Sequence, residues 1–282
     1  MFKQQETAGR KTGLNGFTLV ELLVVISIMS MLMSILLPSL SRAREAGQRA
    51  HCFYNLRGLT SAWNVYAADN EGKLCSPKTW WNDYPGSPYW VGDGPRWPGN
   101  DIGNSEQAIK DGVLWPYTQS LGLYKCKSDR SGCLRSYSIS NVMGAGEKIT
   151  IECWGYGGIA DHYVYFPFMN LIQISRSADR MVFIDAQSEG RWLAHGFRGC
   201  CGLYKPRGFG GSKWNHITAR HSGGCNLSFA DMHCEYWKYK DKRTVELANF
   251  ALSGGVDPVS DNPDAQRMYE LFKSRNEMPF VK

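Results

Sequence analysis

The chain has 282 residues, 43% of them hydrophobic and 13% aromatic, and its formal charge is +6. That is ample apolar material for one packed domain, and a charge so small and so dispersed argues against nucleic acid as a partner. The first predicted element is the apolar run Phe17–Leu37, preceded by a short basic stretch in which Lys3, Arg10 and Lys11 oppose only Glu6. As a helix its 21 residues span roughly 31 Å, enough to cross the hydrocarbon core of a bilayer. One ionised side chain, Glu21, lies inside it. A carboxylate there costs on the order of 2.5–3.5 kcal/mol, so a function is expected for it.

Two ordinary readings compete. A cleaved secretory signal accounts for the basic start, but the run exceeds an h-region of about 7–15 residues, and Ser39-Leu40-Ser41 is a poor cleavage site. A plain membrane anchor accounts for the length and leaves Glu21 unexplained. Gly16-Phe17-Thr18-Leu19-Val20-Glu21 resembles the class III signal of type IV prepilins and type II secretion pseudopilins. That resemblance implies a cytoplasmic leader, residues 1–16, cut after Gly16 by a membrane-embedded prepilin peptidase, and N-methylation of Phe17. It also implies that Glu21 pairs with the Phe17 α-ammonium of a neighbouring subunit, and that Pro38 is the family's helix-kinking proline. Losing one partner of a buried pair costs about 3–5 kcal/mol, so such pairing would set axial register.

Beyond Pro38 an amphipathic pattern continues. Leu40, Ala43, Gly47, Ala50, Tyr54, Trp63, Tyr66 and Ala67 recur at helical steps, while Arg42, Glu45, Gln48, Arg49 and Arg57 take the other face. One helix over residues 17–68, kinked near Pro38, is expected, with 17–37 in the membrane or a filament core. Asp69-Asn70-Glu71-Gly72 stops it, and residues 69–282 form the remaining domain.

Residues 72–112 are rich in Gly, Pro, Asn and aromatics: Trp80, Trp81, Tyr84, Tyr89, Trp90 and Trp97. They suit either a long loop pinned by its aromatics or a polysaccharide platform built on Trp80, Trp81 and Trp90. Strands are expected at Tyr137–Ser140, Lys148–Trp154, Tyr163–Phe168, Met181–Asp185, Cys225–Phe229 and Glu235–Tyr239, separated by turn residues such as Gly155–Gly158 and Gly208–Gly211. The architecture read from this is α+β and, with the first resemblance, pilin-like: a long N-terminal helix packed on an antiparallel sheet with long loops.

Nine cysteines in an exported domain point to disulfides, and the odd number leaves at least one unpaired. Cys126 and Cys133 flank a short loop and are the candidate local bridge. A zinc site from Cys225, His233 and Cys234 is the alternative, but no C-x-x-C pair is present and the spacings match no common pattern, so no metal is expected.

The stretch ARHSGGCNLSFADMHCEYWK resembles the signature of a prepilin-like family named for His, nine residues, then Asp-Gly. His221 and Asp231 match it; Met232 stands where the family has Gly. LYKCKSD at 123–129 and RSYSISN at 135–141 resemble further family segments, with Lys127 in place of a usual proline. Residues 229–233 read as a hairpin tip, where an Asp-Gly pair would suit a type I′ turn and Met would cost roughly 1 kcal/mol or force a wider loop. His221 and Asp231 are expected to be structural, as a tie across this hairpin. The sharper alternative makes His221 a base oriented by Asp231 or Asp185, but no nucleophile or metal motif accompanies it.

Ser260-Asp261-Asn262-Pro263 precedes a final helix expected at Asp264–Arg275. Asp257, Asp261 and Asp264 could offer oxygens to calcium, as in some pseudopilins, although oxygen-rich turns are more often solvated caps. Together the resemblances imply a non-enzymatic subunit of a pilus-like or secretion pseudopilus assembly. It would be processed by the peptidase and methyltransferase, held in the inner membrane with its domain outside the cytoplasm, and partnered by other pilin subunits. The rivals are a membrane-tethered carbohydrate-binding module and a tethered hydrolase.

Overall fold

The computed structural model describes residues 17–77, 88–92, 105–144, 149–154, 160–165, 167–186, 217–249 and 261–271, with backbone alone for 149–154 and 160–165. The chain divides into two compact units, residues 1–44 and 45–282. Helix α1 runs Leu19–Asp69 and remains helical through Pro38. Proline has no N–H to give the Ser34 carbonyl, so one ladder bond is lost there without ending the helix.

In the first unit the apolar residues of α1 are exposed throughout. The hydroxyls among them need no partner. Ser27 Oγ donates to the Leu23 carbonyl, Ser30 Oγ to Ile26 and Ser34 Oγ to Met31, each at 2.7 Å. Side chains that return to their own helix leave a surface lipid can cover.

In the second unit α1 turns amphipathic and buries Cys52, Asn55, Leu56, Leu59, Thr60, Ala62, Trp63, Tyr66 and Ala67. This three-and-four spacing presents one stripe to a four-stranded antiparallel sheet of order β1-β4-β5-β6. Its strands are β1 Tyr137–Ile139, β4 Met181–Asp185, β5 Gly224–Phe229 and β6 Cys234–Lys238. Strand β4 is buried at every position, as Val182-Phe183-Ile184 implies. Thr60 Oγ1 joins helix to sheet, donating to Ser228 Oγ at 2.7 Å with both residues fully buried. Strands β2 Ile149–Trp154 and β3 Ala160–Tyr165 form a separate antiparallel hairpin in which Ile149 faces Tyr165.

Short helices α2 Glu106–Lys110 and α3 Trp115–Thr118 precede β1, and α4 Lys242–Ala248 and α5 Pro263–Leu271 follow β6. Helix α1 ends where Gly72 donates to the Ala67 carbonyl with φ +79°, the left-handed cap that glycine permits. A Cβ at Gly72 would lie 2.5 Å from Asn170 Oδ1, so the turn is also packed too closely for a side chain.

The tip between β5 and β6 takes the wider loop, the second of the two forms expected for Met232. Phe229 faces His233 across the hairpin, its N–H donating to the His233 carbonyl, which leaves three loop residues. Of these only Met232 has positive φ, at 72°. This is the three-residue form in which a left-handed residue closes a bulge, and here methionine fills the position that favours glycine.

Candidate functional sites

The first site is the start of α1. Thr18 precedes the helix, and its N–H and Oγ1 donate to Glu21 Oε2 at 2.9 and 2.6 Å, while the Glu21 N–H donates to Thr18 Oγ1 at 3.3 Å. This is a capping box: each side chain satisfies a backbone donor the helix leaves open, and the carboxylate sits at the positive end of the helix dipole. Glu21 therefore is not the partnerless charge its setting suggests. Phe17 lies beside it and is 70% exposed. Gly16 falls outside the described residues; Phe17, Glu21 and Pro38 fall within them.

The second site is a buried cluster around His221. Thr218–His221 leads into β5, where Ser222 and Gly223 both take positive φ and reverse the chain. The imidazole reaches three elements. His221 Nδ1 is 3.2 Å from Glu45 Oε1 on α1, Nε2 is 3.4 Å from Asp185 Oδ2 at the end of β4, and Nε2 is 3.4 Å from Cys126 Sγ. The His221 and Asp185 side chains have no exposure. Asp185 is balanced by Arg220, whose Nη1 donates to Asp185 Oδ1 at 2.6 Å and to the Ala186 carbonyl at 2.8 Å; Arg220 Nη2 also lies 3.5 Å from Asp129. Burial alone would lower the His221 pKa, but hydrogen bonding to Asp185 and Cys126 and the charge of Asp185 raise it to about 10. The ring is thus an imidazolium held between carboxylates, a poor general base and a poor metal ligand at neutral pH.

The expected tie between His221 and Asp231 is not formed by these residues. Asp231 sits at the hairpin tip, where its Oδ1 accepts from the His233 N–H at 3.2 Å and from His233 Nδ1 at 2.5 Å. It organises the tip, while His221 organises the core; the two signature residues have separate structural duties. Glu45 and Asp185, which complete the cluster with the adjacent Arg220, come from distant parts of the chain, and of these partners the sequence points only to Asp185.

The cysteines also correct the expectation. Cys126 and Cys133 are not bonded to each other. Cys126 Sγ instead lies 2.8 Å from Cys52 Sγ on α1, and the carbonyl of half-buried Cys133 is taken by Lys125 Nζ. Cys225, His233 and Cys234 do not converge: Cys225 is fully buried, His233 faces Asp231, and Cys234 donates to the Phe53 carbonyl at 3.7 Å. Among the described residues, the Cys and His ligand atoms that do converge are those of Cys52, Cys126 and His221, within 4.8 Å of one another.

Trp90 cannot serve a carbohydrate platform. It is fully buried, edge-on to Phe183 at 5.4 Å between ring centroids, stacked near Tyr124, and covered by the Arg135 guanidinium at 4.8 Å. Trp80 and Trp81 lie outside the described residues. Of the suggested calcium ligands Asp257 does as well. Asp264 is buried, accepting from the Lys240 and Asp241 N–H groups at 2.9 Å, so its carboxylate is committed to the backbone before α4.

Residues 15–37 match the family model of the prokaryotic N-terminal methylation motif. The match takes in Gly16, Phe17 and Glu21 and ends one residue before Pro38, so the chain carries a prepilin-type signal on a helix long and apolar enough to span a membrane. No curated protein and no solved structure matches the chain.

Proposed function

We propose that this protein is a structural subunit of a type IV pilus-like or type II secretion pseudopilus assembly. Prepilin peptidase cuts after Gly16, Phe17 is methylated, residues 17–37 hold the subunit in the inner membrane, and neighbouring subunits then pack through α1 while the remaining domain stands outside the cytoplasm. One observation carries the reading. The methylation motif coincides with the exposed apolar half of α1, and its only charge is a carboxylate already positioned at the helix start.

The geometry suggests an order of events. In a lone subunit Glu21 is satisfied by Thr18. Removing residues 1–16 creates an α-ammonium on Phe17, and a neighbour's ammonium can displace the neutral Thr18 donors because a charged pair outcompetes neutral hydrogen bonds in a low-dielectric setting. The domain contributes a packed, charge-balanced scaffold; His221 and Asp231 act in that scaffold.

Subunit crosslinking in membranes that contain the assembly machinery tests the reading. Wild type is expected to give a ladder of oligomers, and Glu21→Gln is expected to abolish it while the protein remains in the membrane. An unchanged ladder in Glu21→Gln would exclude assembly through this residue.

A further inference from the structure

Cys52 and Cys126 stand face to face across the junction of α1 and the segment after the turn Leu121–Tyr124. Neither is exposed, and their sulfurs are 2.8 Å apart. The placement does not depend on the sulfurs alone. Asn55, one turn further along α1, donates through Nδ2 to the Gly122 carbonyl at 3.1 Å and to the Lys125 carbonyl at 2.9 Å. The clamp holds the chain just before Cys126 against the helix turn that carries Cys52. On the far side Lys125 pairs with Asp129 at 3.3 Å, and Asp129 accepts from Ser136 Oγ, so the loop is braced before and after the cysteine.

We propose that Cys52 and Cys126 form a disulfide in the mature protein, latching the second half of α1 to the 121–136 segment. The proposal rests on the exported placement argued above, since such a bond persists in an oxidising compartment. A metal fits less well. Two thiolates bound to tetrahedral zinc at about 2.3 Å each would lie about 3.8 Å apart, and His221, the third convergent group, is engaged by Glu45 and Asp185.

The exchange is balanced by an exported protein disulfide as oxidant. The Cys52 thiolate attacks one sulfur of that disulfide, forming a mixed disulfide and expelling the donor's second sulfur as a thiolate. The Cys126 thiolate then attacks the Cys52 sulfur and expels the donor's first sulfur. Two electrons reduce the donor to a dithiol, and the two cysteine protons pass through solvent to it. Because both sulfurs are sealed in the finished core, exchange precedes docking of the 121–136 segment on α1. The product adds a covalent cross-link between α1 at Cys52 and the 121–136 segment, so this contact is held by a bond as well as by packing.

The test uses the full-length protein in detergent, reduced in denaturant and returned to native conditions through oxidising and reducing glutathione buffers. Thiols are then blocked, and the protein is digested without reduction for mass spectrometry. The oxidising buffer is expected to yield a linked peptide pair containing Cys52 and Cys126, two hydrogens lighter than the free peptides. Cys52→Ser should leave Cys126 alkylated, and Cys133→Ser should leave the linkage intact. Alkylation of both Cys52 and Cys126 in folded protein, linkage of Cys126 to another cysteine, or stoichiometric zinc with both thiols unlinked would each overturn the proposal. The buffer supplies the oxidant, so this result is independent of cellular location. Protease protection of the domain in intact spheroplasts would instead contradict the exported subunit and leave the sulfur pairing standing.

Discussion

Thr18 and Glu21 satisfy each other across the first turn of α1, through contacts of 2.6, 2.9 and 3.3 Å. A carboxylate that would otherwise oppose insertion is thereby given local donors, and the helix start is given a cap. The same group stands at the end of the segment where the proposed cleavage would create a new amino terminus.

Capping and assembly should separate by mutation. Thr18→Val removes the hydroxyl but keeps the Glu21 charge. It should destabilise the helix start by about 0.5–2 kcal/mol, read as faster amide exchange in the first turn, while oligomers still form. Glu21→Gln should do the reverse, because its amide oxygen can still accept from Thr18 but carries no charge for a partner ammonium.

Met232 occupies a left-handed position that glycine takes without cost. Met232→Gly should therefore stabilise the domain by about 1 kcal/mol, seen as a higher denaturant midpoint with unchanged slope. Met232 is 41% exposed, so little buried contact is lost in exchange.

The His221 cluster imposes a pH dependence. With Cys126 as a free thiol, its pKa rises from an ordinary 6.5 to about 10 on folding, so the folded state of the reduced protein binds the extra proton. The contribution is fully present below pH 6.5 and is lost as pH rises from there to about 10. Thermal melts across this window should show stability falling with pH, and His221→Gln should flatten that slope while lowering stability at neutral pH. A wild-type slope retained in His221→Gln would assign the effect to another group.

Trp90 distinguishes core from binding surface. Trp90→Ala should cost about 3–5 kcal/mol, as for other buried aromatics, and lower the melting temperature of the domain. Retention on immobilised polysaccharide, compared at equal folded protein, should not change.

The local patterns in the sequence carried most of the architecture. Met181–Asp185 coincides with the observed strand, the other strands fall within three residues of their expected ends, and α1 stops one residue beyond Ala68. Periodicity and turn residues are local signals, so they survive without knowledge of the fold. The capping box is legible as Thr-x-x-Glu at 18–21, but it begins an apolar run in which Glu21 reads first as a costly charge. The Cys52–Cys126 contact spans 74 positions, and Glu45–His221 spans 176. Such pairs depend on how helix and sheet dock, which spacing cannot encode. Cys126 and Cys133 are near each other along the chain, yet the sulfur that stands beside Cys126 is that of Cys52. Trp90 misled in a related way, because an aromatic in an irregular Gly- and Pro-rich stretch can be either a platform or an anchor until burial is known.

The mature amino terminus tests the account most directly. Intact-mass and N-terminal peptide analysis of the protein purified from membranes of cells with prepilin peptidase should find residues 1–16 removed and the chain beginning at Phe17 with one added methyl group. A chain that retains residues 1–16 in the presence of active peptidase, or that begins after Ser41 and is released from the membrane, would contradict it.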